Sequence, residues 1–409
     1  MVNKPELLSP AGDMERLKYA FKYGADAVYL GAEDYGMRAS PKNFSLEQLQ
    51  QAVDFANAMG KKIYLTLNTV PTNADLADMP DFIKKVANIG VHAVIVADLG
   101  VLAMVKEIAP EMEIHFSTQV GIMNYASANA AYALGAKRVV LARETTLEDI
   151  ITIRKKTPPE LDIEAFVHGA MCMSFSGRCL LSQYLNGRDA NRGECSQPCR
   201  WQYQLSEKSR PDKYFDINET EDGTYILNAN DLCMAPYIDM LCDAGVTSLK
   251  IEGRAKSFYY VASVTSAYRK ALEAFEAQGK DFLCPIPVME ELTKTSHRRY
   301  STGFYFGRDN ATQTTDSSSY IRQWDLLAVV ERYENGMLYC SQRGKFNLGD
   351  ELEILQPNGE VVKLTPSVLL DETGGNICST AHAMMSFAMD CPFVIESMSI
   401  VRKLSAQTD

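Results

Sequence analysis

Four cysteines, Cys172, Cys179, Cys195 and Cys199, fall in one short stretch with the spacing C-x6-C-x15-C-x3-C. The residues between them are rich in Gly, Asn, Asp and Arg, which favour turns over a helix or strand. Thiolates gathered on one loop suit a soft metal, and sulfur-only coordination selects zinc or an iron–sulfur cluster. Structural zinc sites usually offer tighter cysteine pairs than one separated by six residues. Clusters tolerate more varied spacing because their ligands go to different irons. The spacing therefore points to iron–sulfur first, with zinc as the alternative. A third reading, cysteine as a small buried hydrophobe, fits poorly beside neighbours that are mostly Gly, Ser, Arg, Asn and Pro.

Such a loop needs a scaffold. The chain has 409 residues, 46% of them hydrophobic and 23% charged, the composition of a soluble globular protein. This length exceeds what one core usually supports, so a large domain and a smaller one are expected. No apolar signal region opens the sequence, and its longest apolar stretch, 91–105, is broken by His92, Asp98 and glycines. No membrane span is expected. Ten cysteines, four of them clustered, without a signal sequence predict a reducing, cytoplasmic setting. The net charge of −11 argues against a uniformly basic nucleic-acid protein but leaves room for a local basic patch.

From residue 5 to about 270, short apolar runs alternate with amphipathic segments. Strands are predicted at 6–8, 27–31, 62–68, 93–98, 113–117, 138–143, 163–168 and 248–254. Asp13 and Ser45 are placed to cap the first two helices. Gly24, Gly90, Gly135 and Gly245 each stand just before a strand, where a glycine ends a helix. Eight such units predict a (β/α)8 TIM-like barrel; a doubly wound sheet lacks its Gly-rich phosphate loop here. In a barrel, function sits at the carboxyl ends of the strands. That face would collect Ser9, Asn68, Asp98, Gln119, Arg143, His168, Glu252 and Arg254. The cysteine loop leaves the seventh strand at His168, so it would cover the same face.

Domain limits follow: a catalytic barrel over 1–280 with a cysteine-rich insert at 169–230, a connector over 281–320, and a small antiparallel β-barrel over 321–409. In the insert, 201–205 and 224–227 are expected to pair as a hairpin, and 228–232 to cap the next helix. Residues 310–319 read as a linker. In the last domain, turn signals such as Asn335-Gly336 and Asn358-Gly359 separate short β-like runs. Cys340, Cys378 and Cys391 share no spacing and are expected in its core. Candidate basic patches are Arg192, Arg200, Lys208, Arg210 and Lys213, and the run His297-Arg298-Arg299-Tyr300. Tyr300, Phe304 and Tyr305 are candidates for stacking a splayed base, although aromatics at this spacing are more often core.

The residues at 6–12, the stretch 164–182 with Phe166, His168, Gly169 and Cys172, the four-cysteine spacing and Lys250-Ile251-Glu252-Gly253-Arg254 carry a resemblance. Over nearly its whole length the chain resembles the U32 family of collagenase-like peptidases of unclassified catalytic type. Despite the family's name, the resemblance implies an oxygen-insertion protein with a [4Fe-4S] cluster held by Cys172, Cys179, Cys195 and Cys199, a cluster that would transfer electrons or hold the loop since it has no open iron. Family activities include hydroxylation of tRNA wobble uridine with prephenate, of ribosomal RNA cytidine, and of ubiquinone. Chain length and the C-terminal β domain favour the first, giving 5-hydroxyuridine in tRNA. One departure is Ala142 before Arg143, where relatives often have serine.

On that reading prephenate, a dicarboxylate, calls for arginine forks, and Arg143 and Arg254 at strand ends are the candidates. His168 and Glu252 are the candidate acid–base pair. The bland reading makes His168 a hydrogen-bonding support of the loop and the arginines rim salt bridges. A further protein partner is possible for the modification. The rival enzyme reading is a peptidase using a cysteine nucleophile with His168; neither H-E-x-x-H nor G-x-S-x-G is present. The non-enzyme rival is an iron–sulfur or zinc RNA-binding accessory protein.

Overall fold

The computed structural model describes residues 4–33, 35, 43–172, 174–175, 178–201, 229–307 and 320–405, with the backbone of four short strands inside 206–224. Seven parallel strands come first: β1 (Glu6–Pro10), β2 (Ala27–Gly31), β3 (Lys62–Leu67), β4 (Ala93–Val96), β5 (Glu113–Phe116), β6 (Arg138–Val140) and β7 (Asp162–Ala170). Helices α1 (Met14–Lys22), α2 (Leu46–Ala58), α3 (Met79–Ile89), α4 (Leu99–Ile108), α5 (Tyr125–Ala133) and α6 (Leu147–Lys155) alternate with them. Asp13 caps α1 and the Ser45–Gln48 capping box opens α2, as the sequence predicts. Gly24, Gly90, Gly135 and Gly245 all take positive φ, which lets each chain turn leave its helix and enter a strand.

After β7 comes α7 (Leu181–Asn186) in the cysteine loop. Two two-stranded ribbons follow, β8 (Ser206–Glu207) with β9 (Arg210–Tyr214), and β10 (Glu219–Thr220) with β11 (Gly223–Thr224). The hairpin expected between 201–205 and 224–227 lies mostly outside the described residues, as does the linker at 310–319. Residues 231–233 correct the sequence reading. Instead of capping a helix they form β12 (Asp231–Cys233), antiparallel to the end of β7, with Asp231 opposite Ala170 and Cys233 opposite His168. The Asp231 carboxylate, buried there, accepts the Arg298 backbone N–H. Helix α8 (Ile238–Asp243) leads to β13 (Ser248–Ile251). This strand pairs in parallel with β7 on one side and β1 on the other, and so closes the eight-stranded barrel.

Parallel strands covered on both faces should be continuously apolar. β2 and β4 are, with every residue buried. The lower barrel interior is different. Arg138 bridges the carboxylates of Glu6 (2.7 Å) and Glu164 (3.1 Å), the Tyr64 hydroxyl donates to Glu6, and the Ser248 hydroxyl donates to both carboxylates. Buried charges persist only when paired in this way.

The 21-residue helix α9 (Phe258–Gln278) lies against the barrel and is followed by α10 (Ile286–Thr293) and β14 (Tyr300–Ser301), which pairs with β12. Then come β15 (Trp324–Glu334), β16 (Met337–Gln342), β17 (Leu352–Leu355), β18 (Val361–Leu364), β19 (Leu369–Asp371), β20 (Ser386–Asp390) and β21 (Ile400–Leu404). They form one antiparallel sheet in the order β18-β17-β21-β15-β16-β20-β19 around its own core of Leu327, Phe346, Ile354, Phe387 and Met389. Cys340 and Cys391 are buried there as expected, whereas Cys378 is exposed. Tyr19, Tyr23 and Tyr259 of the barrel pack on Val329, Leu355 and Ile400 of the sheet. No described helix is long and apolar enough to cross a membrane.

Candidate active site

A cavity of about 1020 Å³ opens at the carboxyl ends of the barrel strands. Its floor and walls include Thr66, Asn68, Gln119, Arg143, Phe166, Lys250, Glu252, Arg254 and Lys256, and its outer side is built by the cysteine loop. Cys172, Cys179, Cys195 and Cys199 all line it. The Leu181 backbone N–H donates to the Cys179 sulfur and the Gln197 backbone N–H to the Cys195 sulfur, each at 3.4 Å. Burial pushes the Cys172 thiol up; the nearby Arg143 guanidinium opposes this, and Cys179 and Cys195 add to it. Among the described residues no three His, Cys, Asp or Glu side chains stand in metal-holding geometry. The thiols share one cavity wall without converging. As a donor set they are all sulfur, and this suits a soft metal centre.

The cations are placed individually. Arg254 is 9% exposed and donates to the Thr66 hydroxyl at 3.1 Å. Gly31 makes that contact possible, because a Cβ there would lie 2.4 Å from Arg254 Nη1. Arg143 lies with its guanidinium 4.0 Å from the Phe166 ring centroid, and no carboxylate pairs with it among the described residues. Lys250 donates to Glu164 at 2.6 Å and faces the Tyr29 ring. Burial opposes ionisation of Glu164, but Lys250 and Arg138 more than offset it and hold its carboxyl down at about 2. This chain of pairs links the cavity floor to the polar barrel interior.

Against the sequence reading, Asn68, Gln119, Arg143, Glu252 and Arg254 reach the cavity with the four cysteines, and three residues do not. Ser9 hydrogen-bonds Thr265 of α9 at 2.8 Å. Asp98 caps α4 through the N–H groups of Gly100 and Val101. His168 is 1% exposed and packs against the rings of Tyr260, Tyr268 and Tyr300 behind the wall. Burial, with smaller contributions from His297 and Lys256, holds its imidazole down at about 3. His168 is thus a neutral packing group in this structure and does not line the cavity.

The family models decide the chain's kinship. Peptidase family U32 matches residues 12–315, and the Peptidase family U32 C-terminal domain matches residues 322–402. The chain belongs to peptidase family U32. Among U32 relatives, tRNA hydroxylation protein P1 of Bacillus subtilis is 36% identical, with 95% of this chain and 93% of that protein covered. tRNA hydroxylation protein P of Escherichia coli is 37% identical, with coverages of 88% and 87%. A Porphyromonas gingivalis protein named collagenase is 33% identical, with 88% and 89% covered.

Two cavity residues of this U32 chain escaped sequence reasoning. Lys256 lines the cavity, donates to the Ser296 carbonyl at 3.5 Å and lies 4.5 Å from the Tyr320 ring centroid. No carboxylate pairs with it among the described residues, and it belongs to no motif. Thr66 is an ordinary strand residue until Arg254 folds over it. The expected basic run at 297–300 is mostly internal. His297 and Arg298 are buried, and Tyr300 donates to the Leu292 carbonyl while stacking on His297. The Tyr305 hydroxyl donates to the Phe166 carbonyl, so this ring is core and not a base-stacking surface. Arg192 forms a bidentate pair with Asp75. Lys208 and the side chains of Arg200, Arg210 and Lys213 lie outside the described residues.

Proposed function

We propose that this chain hydroxylates tRNA, converting a wobble uridine to 5-hydroxyuridine with prephenate as co-substrate. The observation that carries the reading is the cavity's charge. Among the described residues Arg143, Arg178, Arg254 and Lys256 line it against one lining carboxylate, Glu252, with Lys250 already paired to Glu164, in a chain of net charge −11. A site of that sign takes an anionic ligand. The names of the Bacillus subtilis and Escherichia coli relatives support tRNA hydroxylation; the uridine, its product and prephenate come from the family resemblance alone.

Arg143 and Arg254 are the residues for the two carboxylates, since a guanidinium fork matches a carboxylate in two bonds. Glu252 is the candidate acceptor for the proton that leaves C5 of uracil. Cys172, Cys179, Cys195 and Cys199 would hold a [4Fe-4S] cluster, which supplies electron transfer when bound; zinc is the alternative. Thr66 and Gly31 orient Arg254, and Phe166 orients Arg143. The peptidase reading needs a base beside a thiol, and among the described residues no histidine lines the cavity.

The test joins two measurements. Anaerobically purified protein is assayed for iron and sulfide, with Cys172→Ala as the control. The tRNA of a deletion strain, complemented with wild type or variant, is digested and its nucleosides analysed. Loss of 5-hydroxyuridine on deletion, restored only by wild type, is the expected result. A deletion strain with unchanged 5-hydroxyuridine sinks the assignment. RNA binding with unchanged nucleosides favours an accessory role.

A further inference from the structure

Helix α7 buries a serine and leaves Tyr184 and Leu185 exposed. A short helix on a soluble protein normally buries apolar side chains and exposes polar ones. Here the buried residue of α7 is Ser182, whose hydroxyl meets the Ser196 hydroxyl at 3.0 Å and accepts the Ser196 N–H at 3.1 Å. Asn186 closes the same polar knot by donating to the Ser196 hydroxyl at 2.6 Å. Tyr184 and Leu185 of α7 are 81% and 48% exposed, beside the exposed polar Gln183 and Asn186, and Leu180 and Phe175, which precede the helix, are 54% and 52% exposed. Polar bonds hold the loop together and leave its large side chains facing solvent.

Three observations say what covers them. Leu180 and Tyr184 also line the cavity, so an occupant of this surface sits over the cavity entrance. Arg178 and Arg188 are exposed beside the rings, and neither guanidinium has a carboxylate partner among the described residues. The two rings, Phe175 and Tyr184, are the side-chain type on which bases stack irrespective of sequence. Exposed rings interleaved with arginines that meet no carboxylate among the described residues, in an otherwise acidic chain, match single-stranded RNA better than an apolar protein face.

The geometry points to the outer face of the cysteine loop as a stacking platform for the single-stranded part of the RNA substrate. Phe175 and Tyr184 support bases that flank the target, Arg178 and Arg188 hold their phosphates, and the target base enters the cavity beneath. This inference rests on the tRNA reading and adds the surface that the RNA occupies.

Binding of a synthetic, unmodified anticodon stem-loop to the full-length, metal-loaded protein tests it. Phe175→Ala and Tyr184→Ala are each expected to raise Kd about tenfold, with iron and sulfide content unchanged. Tyr184→Trp, which keeps a ring, is expected to retain wild-type affinity; a merely structural role would not distinguish it from alanine. Arg178→Gln and Arg188→Gln are expected to flatten the dependence of log Kd on log salt. If wild type binds the stem-loop and both alanine variants bind equally well, the platform is wrong and the tRNA reading survives. If wild type binds no RNA, both fall. If the alanine variants keep RNA affinity but lose a co-purifying protein, the surface is a protein interface and the inference is overturned.

Discussion

Arg402 of the C-terminal sheet and Glu291 of α10 form a fully internal fork: Nη1 meets Oε1 and Nη2 meets Oε2, each at 2.6 Å. Arg402 has no exposed surface, and its second guanidinium nitrogen also reaches Glu353 at 3.2 Å. Ser263 of α9 donates to the same Glu291 carboxylate. One ion pair thus ties the sheet, α10 and α9 together. Removing one partner of such a pair leaves a buried charge without compensation, which costs about 3–5 kcal/mol. Arg402→Ala is expected to lower the unfolding free energy by that amount. A joint Arg402→Met, Glu291→Leu replacement should recover most of it. Denaturant titration decides; a single variant as stable as wild type would refute the role.

Glu164 sets a pH dependence. Its folded carboxyl is held at about 2 against an ordinary 4.5. A carboxyl held low in the folded state contributes stability above the ordinary value, and that contribution is lost as pH falls from 4.5 towards 2. The contribution is on the order of 3 kcal/mol. Glu164→Gln should therefore be less stable than wild type at pH 7, and the two should converge across this window. Parallel unfolding curves for both proteins at every pH would contradict the pairing with Lys250 and Arg138.

Gly31→Ala addresses the cavity without touching a charge. The new methyl would meet Arg254 Nη1 at 2.4 Å and Thr66 Oγ1 at 3.3 Å. Arg254 must swing away and lose its Thr66 contact. If the proposed role of Arg254 holds, the expected outcome is a folded protein whose affinity for prephenate, the proposed co-substrate, falls at least tenfold, as read by calorimetry. Wild-type affinity in this variant would remove Arg254 from the binding site.

His168 is expected to stay neutral throughout the working range. Its imidazole, held at about 3 by burial, gives no inflection near 6.5 in a pH–rate profile. Following its ring proton shifts by NMR tests this directly. Titration near 6.5 would mean that solvent reaches it.

The barrel was legible because each of its eight strands is a short apolar run bounded by a turn, and because glycines such as Gly90 and Gly135 mark where helices stop. The cysteine cavity was legible from one fact: the loop leaves the strand that ends near His168. What stayed hidden depended on side-chain direction. Ser9 and His168 sit at strand ends like Arg143, but their side chains point into packing and not into the cavity. Residues 228–232 are polar enough to read as a cap, yet Asp231 is carried inside by β12, where one of its carboxylate oxygens accepts the Arg298 N–H. Lys256 follows the barrel's last strand with no pattern to announce it. Its value as a site residue comes from its place in the cavity wall and the lack of a paired carboxylate among the described residues, which no sequence displays.

β12 returns antiparallel to β7, with Asp231 opposite Ala170. The long excursion over 171–230 therefore departs and arrives at adjacent points, like a large loop on a hairpin stem. Nothing in the barrel's connectivity requires its contents. The barrel beneath takes its strand order and its closure between β1 and β13 from pairings outside this appendage. A chain in which a tight turn replaces 171–230 should still fold as a barrel, empty of its thiols. The four-cysteine loop would then be a separable insert on a self-sufficient frame.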